Sequence, residues 1–402
     1  MRAKFGVAGV AALILLFGGS AALAQSVPAA KGVPLGGFRL FPVLDVDANY
    51  DDNVYRTQAG AISDYFFSER PSVTLASQWG RHQLDLYAGF QGYQYATRTS
   101  ENHNDWDVGG DGRLDITRGF DLKGDAEYAI EHEARTSPDQ PNFARTPTRY
   151  ALTDADAALE YHPYHFGLSV GGTFTRYDYD ATPLIGLPPL NNTDRNRDEV
   201  QGYIKGSYEF SPGYAVYLQG LDRQVSYDLT LDRNGLNRNN SGYAVNAGLD
   251  MLVTNLVKGN IFVGYLDQHY HAPLVPISGF NFGANVDWNA TPLWTFHLTA
   301  SRILNGTTLN HASSEDDQTV QMAADYAFRR TMSLNAFVGY THTDFNGAPR
   351  KDDVVNAGVG FNYNINELMT AKLGYDYSNR TSTIGGQNFD DNVVSVGIGF
   401  HV

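Results

Sequence analysis

Along most of this chain apolar and polar residues alternate one by one, and the alternating segments recur about every twenty residues. Leu84, Leu86, Ala88 and Phe90 alternate with Gln83, Asp85, Tyr87 and Gln91. Trp106, Val108, Leu114 and Ile116 share one face, with Asp105, Asp107, Asp111, Arg113 and Asp115 on the other. Leu122, Ala126, Tyr128 and Ile130 oppose Asp121, Lys123, Asp125, Glu127 and Glu131. At the C-terminus Val394, Val396, Ile398, Phe400 and Val402 oppose Ser395, Gly397, Gly399 and His401. A soluble sheet edge carries the same alternation, so no single segment decides the architecture. Taken together, one face carries almost no charge while the other needs water. In a transmembrane barrel lipid meets the first and the lumen meets the second.

The connections sharpen this reading because their lengths alternate. Short links occur at Trp79-Gly80-Arg81, Thr117-Arg118-Gly119, His162–His165, Ser211-Pro212-Gly213, Thr254-Asn255-Leu256, Asn289–Pro292, Arg329–Thr331 and Asn364–Glu367. Longer polar stretches lie between them, near 51–68, 132–148, 178–198, 228–241, 304–316 and 378–391, with shorter ones near 97–102, 270–276 and 344–351. Short periplasmic turns alternating with longer outer loops are the topology of an antiparallel, up-and-down outer-membrane β-barrel. Counting from about Gly37 to Val402 gives about eighteen strands, with sixteen the nearest even alternative. No helical stripe of 3.6-residue period stands out beyond the N-terminus, so the chain reads as all-β.

Residues 1–24 read as a secretory signal: Arg2 and Lys4 precede an apolar run, and Ala22-Leu23-Ala24 supplies a small-x-small cleavage site before Gln25. Residues 25–36 then form a short periplasmic segment and 37–402 the barrel, a layout that expects export and insertion into a Gram-negative outer membrane. The chain has 44 acidic and 29 basic residues and a formal net charge of −15, which loss of Arg2 and Lys4 takes to about −17. That balance argues against nucleic acid and anionic lipid headgroups as binding targets. With no cysteine, neither a disulfide framework nor a thiolate metal site is possible.

On this parse the lumen holds Asp85, Tyr87 and Tyr93 from one strand, and Asp105, Asp107, Asp111, Arg113 and Asp115 from the next. Lys123, Asp125 and Glu127 follow, then Asp154, Asp156, Glu160, Glu199 and Glu209, with Tyr203, Lys205, Tyr217 and Lys372 elsewhere on the wall. An acidic wall focuses negative potential, and inward tyrosines could stack on sugar rings; placed at the rims instead, the same aromatics would form an interfacial girdle. The run Asp45-x-Asp47-x-Asn49-x-Asp51-Asp52-Asn53 resembles a calcium loop, but it has no Gly at the sixth position and no Glu at the twelfth, which favours a structural or lumen role. Catalytic readings find little: no Ser stands in a Gly-x-Ser-x-Gly elbow, His162 and His165 fall in turns, and His103 and His311 fall in loops. His269 and His271 flank Tyr270 at a strand end and read as a solvated rim. Arg145–Arg149 and Asp194–Asp198 read as solvated loop charge. Neither an enzyme nor a cofactor or metal is expected. The loop 178–198, with Pro183, Pro188, Pro189 and an apolar Leu184–Leu187 centre, is a candidate constriction or an exposed lid.

Two stretches carry a family resemblance. One is Arg39-Leu-Phe-Pro42 with Tyr50–Thr57; the other runs from Asp232-Arg-Asn-Gly235 through Arg238, Gly242-Tyr243, Gly248-Leu249 and Gly264-Tyr265 to Gln268 and Tyr270. Together with the strand pattern, which extends the likeness over nearly all of the mature chain, they resemble the β-barrel porin type 2 family of Gram-negative outer-membrane proteins. The resemblance implies a passive conduit for exopolysaccharide export, with a glycan in the lumen, periplasmic polysaccharide-export proteins as partners, and outer-membrane lipid and the barrel assembly machinery around it. A diffusion porin for small solutes, cation-preferring because the lumen is acidic, is the alternative. One departure from the family pattern is the terminus, where Val402 replaces the usual last aromatic and Phe400 stands two residues earlier.

Overall fold

The computed structural model describes residues 31–402 apart from 142, 254 and 255. The expected signal at 1–24 and the Thr254-Asn255 link lie outside the described residues. A short strand, β1 (Val33–Leu35), precedes β2 (Phe38–Asp51), β3 (Asp64–Ser77), β4 (Gln83–Tyr95), β5 (His103–Thr117), β6 (Phe120–His132) and β7 (Arg149–Tyr161). The series continues with β8 (Phe166–Tyr179), β9 (Arg197–Ser211), β10 (Tyr214–Tyr227), β11 (Asn240–Val253), β12 (Val257–Tyr270) and β13 (Ile277–Thr291). It ends with β14 (Trp294–Asn305), β15 (Glu315–Arg329), β16 (Met332–Phe345), β17 (Lys351–Asn364), β18 (Met369–Ser382) and β19 (Phe389–His401). Each strand from β2 to β19 pairs antiparallel with the next, and β19 pairs with β2, so eighteen strands close into a barrel. β1 adds to the start of β2, outside that count.

Alternation selects this architecture because every backbone polar group must find a partner where water is absent, and a closed sheet leaves no edge unpaired. Strands of 12 to 15 residues rise about 3.4 Å per residue, so even when tilted they exceed the roughly 25 Å apolar band. The C-terminal strand shows how the two faces are used. Val394, Val396, Ile398 and Phe400 are exposed on the lipid side. On the lumen side Gly397 and Gly399 lie against the Asp47 and Asp45 carboxylates of β2, and a Cβ at either glycine would collide with them.

Aromatic pairs ring the short-turn end: Phe38–Trp79, Phe120–Tyr161, Phe166–Tyr208 and Trp294–Tyr326, with centroids 4.3–6.0 Å apart. Such rings sit where headgroups meet the apolar band. The tightest turns at this end rely on glycine. Gly119 at φ +75° and Gly213 at φ +81° reverse the chain in the left-handed region that other residues rarely adopt.

Candidate functional site

Register along β4 to β7 produces the most distinctive feature of the lumen. Asp85 stands opposite Asp111, Asp111 opposite Asp125, and Asp125 opposite Asp156. Directly opposed residues place their Cβ atoms about 4.5–5.5 Å apart, so four carboxylates form a row around one arc of the wall. More acids flank the row: Asp121 is paired with both Asp115 and Glu160, and Glu127 with Asp154. Oδ2 of Asp156 is buried and has no hydrogen-bond partner. On the long-loop side of the row lies a recess of about 380 Å³, lined by Ser72, Thr74, Tyr87, Asp107, Glu127 and Glu131.

Basic side chains facing the same space are already engaged. Arg70 meets Asp47, Lys372 meets Asp45, Arg113 meets Asp115 at 2.8 Å, Lys123 meets Glu160 at 2.6 Å and Lys205 meets Asp250 at 2.7 Å. Most of the lumen tyrosines are engaged as well. Tyr87 donates to Glu127 at 2.5 Å, Tyr93 accepts from Gln91 and stacks on His103, and Lys205 covers the Tyr217 ring at 3.9 Å. Tyr203 lies with its hydroxyl close to Gly171. Asp85 accepts from the Ser77 N–H at 3.2 Å, and Asp105 binds His132 at 2.7 Å. Glu209 accepts from the Gly213 N–H at 2.9 Å.

Above this wall two loops fold inward. From residues 133–148, Asp139 Oδ1 accepts from Thr307 Oγ1 and from the Thr308 N–H and hydroxyl, at 2.9–3.1 Å. Arg380 of β18 donates to the Thr136 carbonyl at 2.8 Å, tying this loop to a strand far around the wall. Residues 306–314 are held from the other side. Arg238 donates to the carbonyls of Ala312 and Leu309, while Arg223 of β10 donates to the carbonyl of Leu304 near the end of β14 at 3.2 Å. Thr307, Ala312, Ser313 and Ser314 are all buried. The long-loop end of the lumen is therefore bridged, while the acidic row below it borders open space.

Buried ion pairs fasten the bridge. Arg195 pairs with Glu133, Arg238 with Asp232 at 2.8 Å, and Glu199 takes both Arg197 at 2.8 Å and Arg223 at 2.6 Å. Burial works against the Arg195 cation, but Glu133, Tyr179 and Asp139 together raise its pKa above the usual guanidinium value. Burial likewise pushes the Asp194 carboxyl up, yet the Arg233 guanidinium and backbone N–H hold it below the ordinary carboxylate range.

Two sequence expectations change here, and a third that was left open falls on the side of the exposed lid. Asp194–Asp198 is not solvated charge: Arg195 and Arg197 are buried against acids and over the rings of Tyr179 and Tyr177 at 3.9 and 4.0 Å. His103 is not a loop residue but opens β5. The bridge is built from 133–148 and 306–314, whereas residues 180–190 form a small hairpin on top. Its Thr182–Leu190 bridge and prolines keep Ile185 and Leu187 outward, at 65% and 57% exposure, and it pairs with 143–145 through Ala144–Leu184. By contrast His269 is indeed exposed, 3.8 Å from Asp267. Sequence offered no signal for the inward loops beyond their length, because their anchors lie on strands far away in the chain.

With the closed barrel, the apolar outer face and the charged interior described, the comparisons with known proteins add the family. The model of a family described as "Putative beta-barrel porin 2" matches residues 28–401. The chain belongs to this family. It is an outer-membrane β-barrel porin. Among solved structures it is similar to Pseudomonas aeruginosa OpdK, crystallised with vanillate, at 12% identity and a TM-score of 0.45, covering 90% of this chain and 99% of that one. It is similar to Pseudomonas aeruginosa OpdO at 12% identity and a TM-score of 0.46, covering 90% and 97%. Acinetobacter baumannii OccAB4 gives 12% identity and a TM-score of 0.44, covering 90% and 98%. No curated protein sequence matches the chain.

Proposed function

We propose that this porin passes small hydrophilic solutes by diffusion and prefers cations. The observation that carries the reading is the row Asp85, Asp111, Asp125 and Asp156. Four adjacent carboxylates on a low-dielectric wall concentrate a negative potential where solutes pass. Nearby Arg113 and Lys123 pair with Asp115 and Glu160.

Passage of a polysaccharide, the reading that the family resemblance first favoured, draws less support from this lumen. A polymer would have to displace the Asp139 and Arg380 anchors, and Tyr87, Tyr93 and Tyr217 are engaged by protein partners. Deleting the gene is expected to leave surface polysaccharide unchanged in amount.

The direct test is the reversal potential of the purified porin in a planar bilayer under a KCl gradient. Potassium should be preferred over chloride. The variant with all four row aspartates changed to Asn should lose about tenfold of that preference, equivalent to about 1.4 kcal/mol. Anion preference in the unaltered protein, or unchanged selectivity in the variant, would sink the proposal.

A further inference from the structure

Side chains reinforce the outer end of the seam where the barrel closes. β19 pairs with β2 from His401 opposite Val43 only as far as Val393 opposite Asp51. Beyond that point one backbone hydrogen bond, from the Asp52 N–H to the Asn392 carbonyl at 3.2 Å, is joined by side-chain bonds. Asn392 donates from its backbone N–H and its amide to the Asp52 carboxylate, at 2.8 and 2.7 Å. The Asn53 amide donates to the Asp390 carbonyl at 2.8 Å.

Here the carboxylates of Asp51, Asp52 and Asp391 all lie within 4.8 Å of one another, Asp51 and Asp391 buried and Asp52 half-buried. Arg56 is the cation among them, reaching Asp51 Oδ2 and Asp391 Oδ2 at 2.9 Å each. One guanidinium faces three carboxyl groups. A second observation is independent of that count. Asp391 is only 3% exposed, and its Oδ1 is buried with no hydrogen-bond partner. An unsatisfied carboxylate oxygen in such a place costs a large desolvation penalty unless a cation meets it.

We propose that Asp51, Asp52 and Asp391 bind a calcium ion that locks the closing seam. The donors are all oxygen, which suits a hard divalent cation, and no His or Cys is present to favour a softer metal. Irregular spacing suits the adaptable coordination of Ca²⁺ better than the strict octahedron of Mg²⁺. The site lies toward the long-loop end of the barrel, with Asp52 its half-buried member. The acidic run on β2 thus serves a cation without an EF-hand, because its partner ligand arrives from the far end of the chain.

The test uses the full barrel folded in detergent micelles, stripped with a chelator and titrated with CaCl₂. Unfolding temperature is read by heat-modifiable gel mobility, and occupancy by luminescence of competing Tb³⁺. The unaltered protein should gain thermal stability with a Kd of about 10⁻⁴–10⁻³ M, the range of extracellular calcium modules, and should respond at least tenfold more weakly to MgCl₂. Asp391→Asn should abolish the response. Because that change also touches the buried closure, Asp52→Asn at the half-buried ligand provides the second reading, with affinity lowered about tenfold. No calcium response, an undiminished one in Asp52→Asn, or stabilisation by protons alone would overturn the assignment. So would loss of the response in the lumen-row variant with both seam variants unaffected.

Discussion

At the short-turn end, strands meet through links such as Arg118-Gly119 and the lumen ion pairs stay wet: the Lys123 and Arg113 side chains are 45% and 43% exposed. At the long-loop end, residues 133–148 and 306–314 lie between the walls and the pairs that hold them are dry, with Arg238 and Asp232 at 1% and 0% exposure and Arg195 and Glu133 at 5% and 9%. The same two residue classes therefore do different work. Exposed pairs contribute about 0.2–1 kcal/mol and are screened by salt, so they trim the field in the lumen. Dry pairs contribute little net stability over an apolar replacement, but losing one partner strands the other, so they enforce one arrangement of the loops.

The sharpest way to break that contrast is Arg195→Ala. It leaves Glu133 buried without its partner and should cost about 3–5 kcal/mol of loop closure. Increased single-channel conductance and rapid proteolysis within 133–148 are the expected outcomes, and an unchanged conductance would show that the loop does not narrow the path. Asp139→Ala removes three accepted hydrogen bonds at about 1 kcal/mol each. It should raise conductance less than Arg195→Ala and leave the unfolding temperature of the barrel nearly unaltered.

Acid should act on the same end. The depressed pKa of Asp194 means that its contribution is fully present above the ordinary carboxylate value of about 3.9 and is lost as pH falls through the lowered folded value. Conductance should therefore rise only in strongly acidic buffer, and Arg233→Gln should move that rise to higher pH. The smallest effect belongs to the wet end. Asp125→Asn relieves two like-charge neighbours and should stabilise the barrel by about 0.2–1 kcal/mol per neighbour. The thermal unfolding of this variant, with its potassium preference reduced, would separate the functional cost of the row from its structural cost.

Much of this was legible in the alternation itself. A period of two fixes which residues share a face, so Asp85, Asp111 and Asp125 could be assigned to the inner surface without coordinates. Gly119 and Gly213 announced their turns, and alternating loop lengths announced which end faces out. Arg195 and Arg197 were misread for a physical reason: a charged residue looks solvated until its partners arrive from other segments, here Glu133 for Arg195 and the Tyr177 ring for Arg197.

The amino-acid sequence by itself determined the barrel architecture and its apolar and charged faces, and narrowed the strand count to eighteen or sixteen, because each depends on spacing within a few residues. Only the tertiary structure decided which charges act together. Strand register turned scattered aspartates into a row across β4 to β7, inward folding made Thr136 a neighbour of Arg380, and closure brought Asp391 to Asp51. Those are contacts between residues tens to hundreds of positions apart. Periodicity constrains which way a side chain points but not which distant residue it meets.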